Sequence, residues 1–355
     1  MFNQDLDSFV RLSKFAGERF DLTQAGGGNS SVKLNDGTML IKASGFLLSE
    51  VTEEKGYSKL DNEALKNIFS SFSPESIKDK RQRESYSKEL VEKATITGYP
   101  RPSIETLLHS LLQKFVLHTH PVLVNAITCR SNWQSILSLL FPEAVFVSYK
   151  TPGVDLALML KQELNKNTDL PKIVFLQNHG IIVSSDDAEE IIEIYSSVIS
   201  VLSEFLKTDL SYYSLTNKIS VLINKAVGPY KISFMSEDLQ LSRILEKKRA
   251  LLSSPVFCPD TFVFCGYGIV EISDINSKEE IISYTSKFRE DPKVVVYRNH
   301  IFFIAENLKK AREMEEVFKF HLIASENAAG NIIPLSGEEL KYLGNWEAEK
   351  YRQKL

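Results

Sequence analysis

The sequence of 355 residues has few cysteines, no long apolar run and no excess of basic charge. Its three cysteines, Cys129, Cys258 and Cys265, cannot form a disulfide framework and include no Cys-X-X-Cys pair, which favours a reducing compartment. No apolar run is long enough to span a bilayer, and Met1–Asp7 lacks the basic and apolar regions of a signal peptide. We therefore expect a cytoplasmic protein that has no membrane partner.

The charge also excludes a class of partner. The net charge is -4 and the 42 basic residues are scattered, whereas a nucleic-acid-binding protein would need a basic face. Hydrophobic residues make up 43% of the chain and charged residues 25%, as in ordinary globular enzymes. The length favours one large domain followed by a smaller one.

The hydrophobic pattern predicts short strands mixed with amphipathic helices, and therefore an α/β sheet that is covered by helices and contains antiparallel pairs. We place a first domain at residues 1–207, a polar boundary near Thr208–Lys225, and a smaller α/β domain at residues 226–355. Within the smaller domain a strand is expected at Thr261–Cys265. The polar segment 53–98 is expected to form surface helices or a mobile insertion. No internal repeat is visible.

Histidines stand at the end of two predicted strands. His118 and His120 occupy positions i and i+2, and a strand directs such residues to the same face. His179 follows the predicted strand Lys172–Gln177 and could supply a third imidazole. Three ligands of this kind form the pattern of a catalytic zinc site with an open position. The alternative is that these histidines are packed residues, and we prefer it for the isolated His300 and His321.

Glu105 lies just before the histidine strand, in a helix predicted over Ser103–Leu112 with Pro102 at its start. This helix would place Glu105 and His109 on one face. We interpret Glu105 as the base beside the metal. The alternative is an acid that stabilises the helix N-terminus. For His109 we expect a packing or supporting role.

A glycine loop, residues 26–31, could direct backbone N–H groups onto an anion. It follows a helix and no lysine–hydroxyl pair comes after it, so it is neither a dinucleotide fingerprint nor a Walker loop. Ser44-Gly45 and Ser103 could join it as a phosphate cradle. Cys258 and Cys265 are expected to be ordinary packed residues.

In this order, the motifs resemble the class II aldolase/adducin family. The resemblance covers about residues 5–205 and rests on segments 27–31, 42–45, 101–109, 118–120, 151–157 and 178–180. It implies a three-layer αβα sheet and a divalent metal, usually zinc. The implied site has His118, His120 and His179 as metal ligands, Glu105 as the acid/base, and Gly28, Asn29, Ser30, Ser44, Gly45 and Ser103 around the phosphate.

The family resemblance implies a homotetrameric lyase that cleaves a phosphorylated sugar reversibly at a C–C bond. Pro102 departs from the family pattern, because sugar-phosphate aldolases often have a second serine there. A sugar-phosphate dehydratase or epimerase could use the same metal, although epimerases of the family tend to carry aspartate where this chain has Glu105. Adducin-type interaction proteins share the fold but lack the metal histidines.

The tail, residues 292–346, is similar to the region after the aldolase core in bifunctional rhamnulose-1-phosphate aldolase/alcohol dehydrogenase proteins. In those proteins a dehydrogenase domain follows. Because the sequence stops at Leu355, no dehydrogenase activity is expected from it.

Overall fold

The computed structural model describes residues 2–71, 77–228 and 231–345, and the chain divides into two compact units, residues 1–211 and 212–355. Each unit contains a mixed sheet with helices packed on it. The α/β class expected from the sequence is confirmed. None of the helices in the described part of the chain combines the length and the apolar character that a membrane crossing needs.

The first unit is built on a seven-stranded sheet in the order β3-β2-β1-β4-β7-β6-β5, in which only β5 and β6 pair in parallel. Its strands are β1 (Asn29–Lys33), β2 (Thr38–Lys42), β3 (Tyr57–Asp61), β4 (Phe115–Thr119), β5 (Val145–Val147), β6 (Ile173–Leu176) and β7 (Gly180–Ser185). Its helices are α1 (Phe2–Gly17), α2 (Asn62–Ser71), α3 (Lys80–Ala94), α4 (Thr106–Ser110), α5 (Val122–Thr128), α6 (Trp133–Leu140), α7 (Val154–Leu164) and α8 (Ala188–Leu206).

The sheet is buried on both faces, because alternate residues of its central strand belong to different cores. Phe115 and Leu117 of β4 pack into a cluster that includes buried residues of α1, α5 and α8. Val116, between them, packs into a second cluster with buried residues of α2, α4 and α7. This period of two matches the pleat of a strand. The three-layer αβα arrangement implied by the family resemblance is therefore confirmed.

The polar segment between β2 and α4 is folded where it is described. It contains β3, α2 and α3, and α3 is held to α7 by the Arg83 guanidinium, which donates to both carboxylate oxygens of Asp155 at 3.0 and 3.1 Å. Glu84 accepts hydrogen bonds from the backbone N–H groups of Val154 and Asp155 and so stabilises the N-terminus of α7. Of the two expectations, surface helices describe these residues, and the strand β3 was not predicted. Residues 72–76 lie outside the described residues.

The helix predicted over Ser103–Leu112 is shorter than expected. Helix α4 begins at Thr106, and Glu105 is its N-cap residue with φ -98° and ψ 12°. Glu105 therefore caps the helix and does not lie within it, while its carboxylate and the His109 ring still contact alternate residues of β1, Asn29 and Ser31. The reason is local, since the hydroxyl and carbonyl of Ser103 bond to Glu105 N–H and to Thr106, which holds residues 103–105 in a turn.

The second unit has a four-stranded sheet in the order β8-β11-β10-β9. Its strands are β8 (Ile232–Met235), β9 (Ile269–Ile272), β10 (Val294–Tyr297) and β11 (His300–Ala305). Its helices are α9 (Ser214–Val227), α10 (Leu239–Lys247), α11 (Pro259–Cys265), α12 (Glu279–Phe288), α13 (Leu308–Asn327) and α14 (Gly337–Asn345).

One expectation for this unit is wrong. Thr261–Cys265 belongs to helix α11, because Pro259 occupies the first turn, where its fixed φ and missing N–H favour a helix start. The stretch expected to be a polar boundary includes the division between the two units, after Ser211, and also most of helix α9. Polar side chains of α9 serve the edge of the sheet: Ser220 Oγ accepts from Ser233 N–H at 2.8 Å, and Asn224 pairs with both backbone groups of Lys231. Side chains thus satisfy an edge strand that would otherwise be open to pairing.

The two units share one supersecondary arrangement, which the sequence analysis missed. In β4-β7-β6-β5 and in β8-β11-β10-β9 the first two pairings are antiparallel and the last is parallel. The order along the chain also agrees, since strand, helices, strand, helix, hairpin and long helix follow in both. The repeat is hidden in the sequence because few of the corresponding residues are identical.

A fully buried tyrosine of α8 fixes the strand that ends in the histidine pair. Tyr195 Oη donates to the Leu117 carbonyl at 2.9 Å and accepts from Thr119 Oγ1 at 2.9 Å. Replacing Tyr195 with Phe would leave both buried partners without this bond, so we expect the free energy of unfolding to fall by about 1–3 kcal/mol. Urea denaturation measures the change. The control is Tyr149→Phe at an exposed tyrosine, for which we expect less than about 0.5 kcal/mol; equal effects of the two variants would refute the role of Tyr195.

Candidate active site

The three predicted ligand histidines converge at one end of the sheet. His118 is the fourth residue of β4, His120 follows the strand, and His179 lies in the turn between β6 and β7. His118 Nε2 is 3.1 Å from His120 Nε2 and 3.3 Å from His179 Nε2. The antiparallel pairing of β4 with β7 brings the end of β4 beside that turn. The ligand atoms of the three residues all lie within 4.8 Å of one another.

The protonation of the cluster follows from burial and from one backbone bond. His118 Nδ1 lies 2.9 Å from the Ile181 carbonyl oxygen, which can only accept, so the proton is on Nδ1 and Nε2 keeps its lone pair. Burial lowers the pKa of His118, His120 and His179 to about 4. All three imidazoles are therefore neutral at pH 7, as metal ligands must be.

Glu105 completes the cluster. Its Oε2 is 3.4 Å from His118 Nε2 and its Oε1 is 3.4 Å from His179 Nε2. Asn29 Nδ2 donates to Glu105 Oε2 at 2.7 Å, while Glu105 Oε1 has no hydrogen-bond partner among the described residues. The Nε2 lone pair of His118, the Nε2 atoms of His120 and His179, and a carboxylate thus converge at one place. This donor set fits a divalent cation, which would relieve their mutual repulsion.

Close backbone approaches explain three glycines around the histidines. A Cβ on Gly28, whose φ is +70°, would lie 2.7 Å from the His118 carbonyl oxygen. A Cβ on Gly27 would lie 2.9 Å from His120 Nδ1, and one on Gly180 would lie 2.2 Å from the Thr119 carbonyl oxygen. The glycine loop therefore packs directly against the end of the histidine strand, which the sequence interpretation as an anion loop did not anticipate.

The residues predicted around a phosphate do not all face the cluster. Asn29 does, since β1 pairs it with His118, and its amide also donates to Ser103 Oγ at 3.2 Å. The next residue, Ser30, points to the opposite face, where its hydroxyl is buried 2.7 Å from Ser13 Oγ. Ser44 lies beside the Pro102 segment, because its N–H donates to the Arg101 carbonyl at 2.9 Å. Gly45 follows with φ +88°.

A buried layer behind the cluster supports it. His109 Nδ1 is 2.7 Å from Ser31 Oγ, and burial holds the pKa of His109 well below its usual value. His109 thus contacts Ser31 of β1 and is not one of the three clustered histidines, which agrees with the supporting role expected from the sequence. The Ile181 carbonyl that sets the tautomer of His118 is a backbone group, so no residue type in the sequence could have indicated it.

The neutral histidines of the cluster make the stability of the metal-free protein depend on pH. Their folded pKa of about 4 lies below the ordinary 6.5, so the unfolded chain binds more protons between these values. The contribution of these groups to the free energy of unfolding is fully present above pH 6.5 and is lost as the pH falls towards 4. Three such groups give a slope of up to about 4 kcal/mol per pH unit. Urea unfolding in chelator from pH 7.5 to 4.5 measures this slope, which should be shallower in His179→Gln; equal slopes would contradict the assignment.

Comparisons with known proteins address the first unit. The model of the class II aldolase and adducin N-terminal domain matches residues 9–202. A curated relative, the uncharacterized oxidoreductase YuxG of Bacillus subtilis (strain 168), is 27% identical over 209 residues, which are 56% of this chain and 29% of that protein. The match therefore spans less than a third of the length of that relative.

Two solved structures are also similar. The N-terminal class II aldolase domain of a conserved protein from Thermoplasma acidophilum matches with a TM-score of 0.50 and 24% identity, over 58% of this chain and 95% of that chain. A sugar-phosphate aldolase from Thermotoga maritima matches with a TM-score of 0.41 and 16% identity, over 58% of this chain and 96% of that chain. The similarity of the tail to bifunctional aldolase/dehydrogenase proteins stays a prediction. Because the family model covers more than half of its residues, the chain belongs to the class II aldolase and adducin N-terminal domain family.

Proposed function

We propose that the chain is a zinc-dependent aldehyde-lyase that cleaves a sugar phosphate reversibly at a C–C bond. Membership of the family supports an aldolase-like enzyme. The observation that supports the proposal most directly is the convergence of three neutral imidazoles with the buried Glu105. An adducin-like interaction protein would have no use for this convergence of imidazoles with a buried carboxylate.

His118, His120 and His179 would hold the metal through Nε2, and three protein ligands leave coordination positions for substrate oxygens. A bound divalent ion supplies Lewis-acid polarisation of a substrate carbonyl. The hydrogen bond from His118 Nδ1 to the Ile181 carbonyl fixes the ring so that its lone pair points into the cluster.

Glu105 would move the proton. Asn29 holds one carboxylate oxygen through its amide, and the other oxygen remains available on the side of the histidines. That oxygen can take a proton from a substrate carbon or hydroxyl and return it at the end of the cycle. The N–H of Glu105 is itself bonded to Ser103 Oγ, so the backbone that carries the base is fixed as well. Asn29 and Ser103 thus orient the acid/base.

The anionic end of the substrate would lie near Gly28, Asn29, Ser44, Gly45 and Ser103. The buried Lys42 adds a positive charge on this side, since its interaction with Glu105 opposes the lowering of its pKa by burial. Holding the phosphate fixes the reacting carbon relative to Glu105, an effect that can contribute several kcal/mol to rate enhancement. Assembly into a homotetramer stays a prediction from the family resemblance, and light scattering would measure it.

Two variants separate the metal role from the proton role. In Glu105→Gln the shape is kept and the base is lost, so we expect stoichiometric zinc and a kcat reduced by about 10²–10⁴. In His118→Ala one ligand is lost, so we expect less than stoichiometric zinc after dialysis. Metal analysis and kcat measure both outcomes. His300→Ala in the second unit is the matched control and should keep its zinc; full activity of Glu105→Gln would show that another group is the base.

The substrate class is tested with a panel of ketose phosphates and the corresponding unphosphorylated ketoses. We expect release of dihydroxyacetone phosphate together with an aldehyde, and a much lower kcat/KM for the unphosphorylated sugars because the anionic anchor is missing. Coupled reduction of the released dihydroxyacetone phosphate measures the rate. Isomerised or dehydrated sugar phosphate without an aldehyde product would indicate the epimerase or dehydratase that could use the same site.

A further inference from the structure

The second unit contains a position that corresponds to the histidine cluster of the first. In the first unit His118 of β4 pairs with Ile182 of β7, and in the second Met235 of β8 pairs with Phe302 of β11. The correspondence continues after the strands, because in each unit a helix N-cap follows three residues later, at Pro121 and at Asp238. Met235 therefore stands where His118 stands.

The same register places Glu237 at the position of His120, since each is the residue just before the N-cap. The hairpins differ by one residue. Leu176 pairs with Gly180 across a three-residue turn that contains His179, whereas Tyr297 pairs with His300 across a two-residue turn. The turn position of His179 is thus lost, and His300 occupies the strand position of Gly180. Methionine and glutamate thus occupy the positions that correspond to His118 and His120, and the position of His179 has no counterpart.

A cavity of about 370 Å³ lies at this corresponding position. Its apolar wall includes Met235, Leu241 and Leu245, and two carboxylates, Glu237 and Glu246, also line it. No lysine or arginine is among its lining residues. The charge of the cavity is therefore negative at pH 7, which disfavours a phosphate or any other anion.

Two rings, those of Tyr212 and His300, line another part of the cavity, beside Ser236, Ser242, Asn299 and Ile301. The ring of Tyr212 stacks on that of His300, with centroids 6.0 Å apart and planes 3° apart. Tyr213 Oη donates to Glu237 Oε1 and so orients that carboxylate. Carboxylates attract cations, and the aliphatic surface beside them accepts hydrocarbon.

The lyase chemistry has no counterpart here. In the first unit β1 pairs with β4 and brings Asn29 to His118, but in the second unit side chains of helix α9 satisfy the edge of β8. Among the described residues the group at metal-ligand distances is confined to His118, His120 and His179. A second cavity in this unit, of about 630 Å³, has lysines that already pair with acids, such as Lys231 with Glu306 at 2.9 Å. Of these two cavities, the smaller one is therefore the one whose lining carboxylates face no lysine or arginine in the lining.

We propose that the cavity between β8, α10 and the β10–β11 hairpin binds an organic ammonium ion without metal. The hydrocarbon body would lie on Met235, Leu241 and Leu245, and the ammonium group would face Glu237 and Glu246. This site is a binding site of the second unit and does not depend on the lyase activity proposed for the first.

Isothermal titration calorimetry of the full chain tests the proposal with three probes that share one hydrocarbon body. Hexylammonium chloride, hexanol and sodium hexanoate differ only in charge. At low ionic strength we expect one site for hexylammonium, an affinity for hexanol at least tenfold weaker, and no binding of hexanoate. Glu237→Gln and Glu246→Gln should each weaken hexylammonium binding about tenfold, which corresponds to about 1.4 kcal/mol.

Matched variants locate the binding. Glu193→Gln, at an exposed glutamate of α8 in the first unit, should leave the affinity unchanged, and Tyr212→Ala should lower it. Zinc content should stay the same in all four variants, which separates this site from the proposed metal site. Equal affinity for hexanol and hexylammonium would overturn the proposal, and so would unchanged binding in both Gln variants. Loss of hexylammonium binding in His118→Ala would place the ion at the histidine cluster instead and would also overturn it.

Discussion

The pairing of β4 with β1 on one side and with β7 on the other is the constraint on which the site depends. The first pairing sets Asn29 against His118, and the second sets the end of the histidine strand beside the turn that holds His179. A slip of one residue would turn His118 to the other face of the sheet. Tyr195 bonds to the same strand from the helix layer behind it, so side-chain packing and backbone pairing fix one register.

The cluster is a place where folding and function conflict. Placing one buried and two half-buried imidazoles next to a buried carboxylate costs free energy that the surrounding structure must supply. The layer behind the cluster reduces this cost: the Ile181 carbonyl fixes a tautomer, Asn29 donates to Glu105, and Ser31 contacts His109. The group that the fold brings together in this way could hold a metal ion.

The two units show how one supersecondary arrangement supports different sites. Strand order and pairing agree between β4-β7-β6-β5 and β8-β11-β10-β9, yet Met235 and Glu237 stand where the first unit has His118 and His120. The edge partner differs too, because a helix replaces the strand that brings Asn29 to the first site. Fold alone therefore assigns no chemistry to the second unit, and its own side chains must be considered.

The sequence by itself determined the class of fold, the shared face of His118 and His120, and the family, because residue spacing along a strand and ordered motifs are local properties. The predictions for α4 and α11 were wrong, because a turn at Ser103 and a proline at the helix start outweighed the apolar period. The sequence also did not reveal the repeat, which is visible in the order and direction of strand pairing. Only the tertiary structure decided that Asn29 meets Glu105 from 76 residues away and that Ser30 turns from the site. Periodicity tells which face a side chain occupies, whereas the register between distant strands sets which side chains meet.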